Sequence, residues 1–467
     1  MIFTPNAIAV IGASDDPTAW GYQIIRNLLR SGFAGDIYPV NISQSQVVGL
    51  RAYSRVTQIP AKVDLAVIVV PAAAVANVMR DCAEHRIGGA VIITAGFAET
   101  GEQGKLLQDE IVDIARKGGI RFVGPNCNGI INSAARICML FDQMPEPGPI
   151  AFISQSGTFG GYLLMAAAAR GYGISKFISV GNQADLDMAD YLAYLSEDRD
   201  TKVIALYVEG VVEGRRFLEV AKQATARKPV IVHKGGSTDA GFRATLSHTA
   251  SLAGREEIFQ AMCRQAGLIS VGEMTHLFEM AYALATLPLP KGNRVAVMGS
   301  GGQCVVTADA CSSLGLRLPE LDPESADKIS QLLPRHAPRP RNPIDFAGGA
   351  RAALDEAKLL EMIARLDYID SIIATTPFTW LTSGSSKAQA DIAAEAAVIL
   401  SRIPPSYGKP LVCQRKNWNP QVQTVIDELR QRGIPTYDTP EQCARAIYAL
   451  TKYYEIRCQY EGDQLQL

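Results

Sequence analysis

From one end to the other the chain alternates short β-branched runs with longer stretches of helical spacing, and that alternation leaves few folds open. The first runs fall at 7–11, 36–40, 65–70 and 90–94, with helical patterns near 21–31 and 73–85 between them. Strand, helix, strand repeats predict a parallel sheet wrapped by helices on both faces, because a parallel crossover needs a long connection and its strands are buried on both sides. A stretch at 136–148, with Pro145 and Pro147, reads as a linker. A second series follows at 150–153, 176–180, 203–208 and 230–233, then a helical stretch over 255–287 that ends at Pro288 and Pro290. A third opens at 294–298, continues through 371–374 and 409–413, and closes with an amphipathic helix at 440–454. The expectation is three tandem doubly wound α/β domains, over residues 1–133, 149–288 and 291–467.

A chain of 467 residues has room for two to four such domains. With 48% hydrophobic residues, 20% charged residues and a formal net charge of -2, it lies in the ordinary globular range and argues against nucleic acid as a partner. The nine cysteines are scattered, without a CxxC pair or a Cys/His spacing suited to zinc, so they read as reduced core thiols and no metal site is expected. Residues 1–5 lead directly into an apolar run with no basic segment, cleavage site or long apolar stretch. A cytoplasmic protein without a membrane segment is therefore expected.

Ligands of doubly wound sheets bind beyond the carboxyl ends of the strands, so the strand-to-helix loops are the candidate sites. The first, Gly12-Ala13-Ser14, lacks the GxGxxG spacing of dinucleotide-binding folds, which disfavours NAD. A glycine turn at a helix mouth still offers free N–H groups and a positive dipole to a diphosphate, so coenzyme A or another nucleotide fits. Asn41, Pro71, Thr94, Ala95, Asn126 and Cys127 each fall at or just beyond a predicted strand end and jointly line one cleft, although each alone would be an ordinary turn residue. In the second series Ser154, Gln155, Ser156 and Gly157 follow a strand and open a helix of small residues. Hydroxyls and N–H groups at that point suit a dianionic phosphoryl group, or simple serine capping. Glu209 is expected at the same sheet edge, where a carboxylate can orient an imidazole and steady its positive charge.

That imidazole is His248, in Ser247-His248-Thr249, within a Gly/Ser/Thr-rich segment after the run at 229–233 that reads as a mobile loop. Imidazole is nucleophilic near pH 7, so a loop-borne histidine can accept a phosphoryl group and carry it between two sites. Of the other histidines, His85, His233 and His276 read as structural, and His336 has no evident companions.

Taken in order, Gly12-Ala13-Ser14, 37–41, 124–127, 154–157, Gly181-Asn182, 207–210, 247–249, 341–345 and 433–441 resemble the ADP-forming acyl-CoA synthetases, relatives of the succinyl-CoA ligase α subunit, over essentially the whole chain. The resemblance implies a Rossmann-like CoA-binding domain followed by two flavodoxin-like domains of the succinyl-CoA ligase type. It implies that phosphate attacks an acyl thioester, that His248 takes the phosphoryl group from the acyl phosphate, and that the loop delivers it to ADP with magnesium on an ATP-grasp module. No candidate for that module occurs in this chain; in the family it is either fused to these three domains or supplied as a separate β subunit, so the chain resembles the α subunit, and an α2β2 heterotetramer acting on a small carboxylic acid or its acyl-CoA is implied. The chain departs from the family in three places. Ala19-Trp20-Gly21 stands where a Gly-Lys pair is common, Thr249-Ala250-Ser251 replaces Thr-Gly-Ala, and 298–304 is less glycine-rich. A CoA- or acyl-CoA-sensing scaffold without catalysis is the alternative, and the full set of Ser154, Glu209 and His248 favours catalysis over it.

Overall fold

The structure, a computed structural model, describes residues 2–248, 255–347, 353–375, 387–415 and 420–464. The chain forms two compact units, Met1–Met274 and Thr275–Leu467. Besides a two-stranded antiparallel hairpin, Gln46–Val47 with Leu50–Arg51, the first unit contains two large sheets. One has the parallel strands Asp36–Val40, Ala7–Ile11, Leu65–Ile68, Gly89–Ile92 and Arg121–Val123, side by side in that order. The other runs Ile269–Val271, Val230–Lys234, Val203–Val208, Pro147–Ser154 and Ile174–Ser179, and is extended by the antiparallel strands Ile130–Asn132 and Ile137–Cys138. The second unit holds Ile344–Asp345, Val295–Gly299, Ser371–Ala374, Leu411–Gln414 and Thr436–Tyr437.

Counted along the chain, the parallel strands of the three large sheets take the order 2-1-3-4-5. Neighbouring connections diverge between strands 1 and 3, and the crevice there is where doubly wound sheets bind ligands. The strands are the β-branched runs of the sequence. All residues of Ala7–Ile11, Ile174–Ser179 and Val203–Val208 are buried, as strands covered on both faces must be. Covering helices show a one-sided pattern: Trp20–Ser31 buries Ile24, Ile25 and Leu28 and ends at Gly32 in the left-handed region. Met188–Glu197 starts in a capping box between Asp187 and Asp190. Lys176, buried in its strand, pairs with Asp198 at 2.7 Å and Asp200 at 3.1 Å, as a buried cation must find partners.

Three features differ from the sequence expectation. The presumed linker contains the short strand Ile137–Cys138, which pairs with Ile130–Asn132 and so adds a hairpin to the second sheet. The stretch expected to be helical at 255–287 divides into Glu256–Ala266, the strand Ile269–Val271 and Met274–Thr286, because Gly267 in the left-handed region ends the first helix. That last helix, expected in the second domain, groups almost entirely with the second unit, where Gln442 donates to its Glu279 at 2.6 Å and Tyr437 to the Glu279 carbonyl at 2.9 Å.

Candidate functional site

At the switch point of the first sheet the turn after Ala7–Ile11 closes on itself. The N–H groups of Gly12 and Ala13 both donate to the Val40 carbonyl, at 3.1 and 3.2 Å, and Asn41 donates to the Ala13 carbonyl at 2.7 Å. Gly12 and Ala13 therefore hold the cleft's shape and offer no free donors, which corrects the expectation for these two residues. The free donors lie one step later. The helix Trp20–Ser31 has no side-chain cap, and among the described residues the N–H groups of Trp20, Gly21 and Tyr22 make no hydrogen bond. Gly21 is obligatory there, since a Cβ would stand 2.1 Å from the Gly12 carbonyl oxygen. A helix mouth with three unpaired N–H groups fits an anion such as a diphosphate.

Around it Ser14, Asn41, Thr94 and Asn126 are half-buried, and Pro71 and Ala95 are exposed, all at the carboxyl ends of the strands. Thr94 donates to the Val70 carbonyl at 2.7 Å, and Asn126 reaches Asn182 at 3.3 Å. Cys127 does not join them. It is buried, its thiol lies 3.3 Å from the Ile92 carbonyl, and burial pushes that thiol up to about 12, so it is a core residue and not a cleft residue. Glu99, which the sequence did not single out, accepts from the Gly96 N–H at 2.6 Å and from Asn182. Burial pushes its carboxyl up, but these donors outweigh that and hold it below the usual range.

The switch point of the second sheet lies between Pro147–Ser154 and Val203–Val208, and its side chains are buried. Gln155 is the keystone: its Oε1 accepts from the N–H groups of Glu209 at 2.8 Å and Gly210 at 3.0 Å, and its own N–H donates to the Tyr207 carbonyl. Tyr207 donates its hydroxyl to Glu209 at 3.2 Å and stacks on His233, whose Nδ1 meets the Val271 carbonyl at 3.0 Å. Burial, then Glu209, raise the Tyr207 phenol, so it remains a donor to the carboxylate. His233, which the sequence presents as an ordinary strand residue, thus backs the site through Tyr207.

Opposite Glu209, the buried Ser154 donates to the Ser156 carbonyl at 2.6 Å, and Ser156 caps the helix Gly157–Ala169 by accepting from Phe159. Among the described residues the Gly157 and Thr158 N–H groups are unpaired, an anion cradle at a helix mouth. Glycine is required at 157, where a Cβ would lie 2.7 Å from Asn128 Cγ and 2.9 Å from Ser179 Oγ. His248 is the last residue of the helix Asp239–His248, not part of the expected loop, and its side chain, with Thr249 to Gly254, lies outside the described residues. Thr238 starts that helix by accepting from the Gly241 N–H at 3.1 Å, and Asp239 favours its first turn. No helix among the described residues is long and apolar enough to cross a membrane, and no cluster of metal-ligating side chains occurs among them.

Residues 6–133 match a family model described as a CoA binding domain, and 147–284 match a succinyl-CoA ligase like flavodoxin domain. The α subunit of an ADP-forming acetate–CoA ligase II from Pyrococcus furiosus is 42% identical over 96% of this chain and 96% of its own length. The chain belongs to the ADP-forming acyl-CoA synthetase family. A second α subunit of this family from Pyrococcus furiosus, of acetate–CoA ligase I, is 35% identical over 98% of both chains. Against the ADP-forming acetate–CoA ligase I of Archaeoglobus fulgidus, 38% identical, the chain spans only 64% of the relative's length. Among solved structures, the dinucleotide-forming acetyl-CoA synthetase 1 of Candidatus Korarchaeum cryptofilum, in complex with phosphate and ADP, superimposes with a TM-score of 0.88 at 33% identity. That match covers 99% of this chain and 98% of the other. A Pyrococcus horikoshii protein, 37% identical, does so with 0.86 over 98% of this chain and 99% of its own.

Proposed function

We propose that this chain is the α subunit of an ADP-forming acid–CoA ligase that interconverts an acyl-CoA, ADP and phosphate with a carboxylic acid, CoA and ATP. The Trp20, Gly21 and Tyr22 N–H groups receive the diphosphate of CoA, and Ser14, Asn41, Thr94 and Asn126 line its path along the first sheet. The Gly157 and Thr158 N–H groups hold phosphate, which takes the acyl group from the thioester. His248 then accepts the phosphoryl group, with Glu209 orienting the ring and stabilising its positive charge, so that one difficult coupling becomes two phosphoryl transfers. A separate ATP-grasp subunit supplies the ADP/ATP site with its magnesium, in an α2β2 assembly. In support, the relatives of matching length are named as α subunits, and the single-chain relatives carry further length beyond the region matched. The acid is small: acetate is the acid named for the 42% identical relative, while 4-hydroxybutyrate and trans-ferulate appear in the names of relatives at 33% and 32%. A cytoplasmic location goes with this chemistry.

The observation that carries the proposal is a buried carboxylate, Glu209, fixed at the same switch point as an unpaired helix mouth at Gly157. The test is incubation with acetyl [32P]phosphate and measurement of acid-labile, alkali-stable label. The wild-type chain takes label, and His248→Ala takes none while binding CoA as before. A chain that binds CoA but takes no label is a sensing scaffold and not a catalyst, and equal labelling of His248→Ala excludes the phosphohistidine.

A further inference from the structure

The turn 124–129 joins the two candidate sites. It leaves the last strand of the first sheet, Arg121–Val123, and enters Ile130–Asn132 of the second. At one end the Asn126 N–H donates to the Thr94 carbonyl, at 2.9 Å, on the cleft of the first sheet. At the other the Asn128 N–H donates to Ser179 Oγ, also at 2.9 Å, and the Ser179 N–H returns to the Gly129 carbonyl at 3.1 Å, so the backbone at Asn128 is fixed to the second sheet. The Asn128 side chain lies against the first residue of the phosphate helix. Its Cγ and Oδ1 are the atoms that would stand 2.7 and 2.8 Å from a Cβ on Gly157. The residue is half-buried, yet among the described residues its carboxamide has no hydrogen-bond partner. An amide offers two donors and an acceptor, and here all are left for whatever lies between the two sites.

We propose that Asn128 is a catalytic residue of the acyl-transfer step, its Nδ2 donating to the carbonyl oxygen of the acyl group as that oxygen gains negative charge. This rests on the reading of the two sites given above, which puts the thioester of CoA on one side of Asn128 and phosphate on the other. A phosphate oxygen forms a bond to the carbonyl carbon, the carbon–sulfur bond breaks, the sulfur leaves with the electron pair and takes the phosphate's proton, and the products are acyl phosphate and CoA thiol. A fixed donor aimed at the oxyanion is strongest in the transition state, and its loss typically slows a reaction about 100- to 1,000-fold.

The experiment measures two half-reactions of the isolated chain separately. Thiol release from acetyl-CoA, driven by phosphate or by arsenate, reports the acyl transfer. Label uptake from acetyl [32P]phosphate begins after it. Asn128→Leu keeps the side-chain volume and removes the donor, so thiol release should fall about 100-fold in kcat with little change in KM, while label uptake stays within about threefold of wild type. Asn128→Ser, which retains a donor, should recover part of the rate. Undiminished thiol release in Asn128→Leu overturns the proposal, and so does a parallel loss of both half-reactions, which marks a merely structural side chain. A wild-type chain that neither releases thiol nor takes label overturns the ligase reading beneath it and this inference with it.

Discussion

The first and second sheets share one strand order, yet their switch points are built in opposite ways. In the first, the turn residues are locked to one another through the Val40 carbonyl and the cleft is lined by half-buried or exposed groups such as Asn41, Pro71 and Thr94. In the second, Ser154, Gln155 and Glu209 are all buried: Gln155 holds the N–H groups of Glu209 and Gly210, and Ser154 bonds the Ser156 carbonyl. A long, many-atom ligand can be held by many weak contacts along an open edge. A small, highly charged group needs a few fixed donors and a fixed carboxylate away from water, where electrostatic interactions are strongest. The same topology thus gives an open edge suited to the first kind of ligand in one place and a closed, buried site suited to the second in the other.

Three substitutions sharpen that contrast. Gly157→Ala should have the largest effect, because its Cβ would collide with the Asn128 carboxamide and displace the helix mouth. Label uptake from acetyl phosphate is expected to fall at least about 100-fold, the scale of a 1 Å misplacement, while CoA affinity measured by calorimetry is unchanged. Equal damage to CoA binding would mean that the two sites are not separable. Gln155→Ala comes next, since it leaves the N–H groups of Glu209 and Gly210 buried without their acceptor. A loss of about 2 to 4 kcal/mol in unfolding free energy is expected in denaturant titration, and a neutral result would show that this network is dispensable. Glu99→Gln, on the open edge of the first sheet, should have the smallest effect, under about 1 kcal/mol at neutral pH, because the group is partly solvated. Its folded-state carboxyl is held below the usual range, so its contribution is full above the unfolded value near 4.3 and is lost as pH falls through the lower folded value. The wild-type melting temperature should therefore drop more steeply than that of the variant in acid, and parallel curves would remove Glu99 from the account.

Much of this was legible in the sequence because buried parallel strands write themselves as uninterrupted apolar runs. Ala7–Ile11, Val203–Val208 and Ser371–Ala374 all stand where such runs occur. Strands of two or three residues carry no such signature, and Ile269–Val271 and Ile137–Cys138 were hidden inside a helical stretch and a linker. The helix ending at His248 was masked by its Gly, Ser and Thr content, which reads as loop until the capping by Thr238 is seen. At the sites, Ser154 and Glu209 could be placed from strand ends alone, since both follow long runs. The roles of Gly12 and Ala13 could not, because whether a backbone N–H is free depends on the Val40 carbonyl of a strand 28 residues away from Gly12 in sequence. Cys127 shows the same limit from the other side, as a residue can stand at a strand end and still face the core. The contact between Asn128 and Gly157 joins residues 29 apart in sequence and left no local trace at all.

The turn 124–129 also bears on how such proteins can be taken apart. Its hydrogen bonds to Thr94 and to Ser179 tie it to both neighbours, so neither sheet owns it. Recombining the CoA-binding part of one family member with the ligase-type part of another would leave half of this shared seam behind wherever the join is made. Exchange of whole modules is then constrained by six residues at their border more than by the bulk of either core.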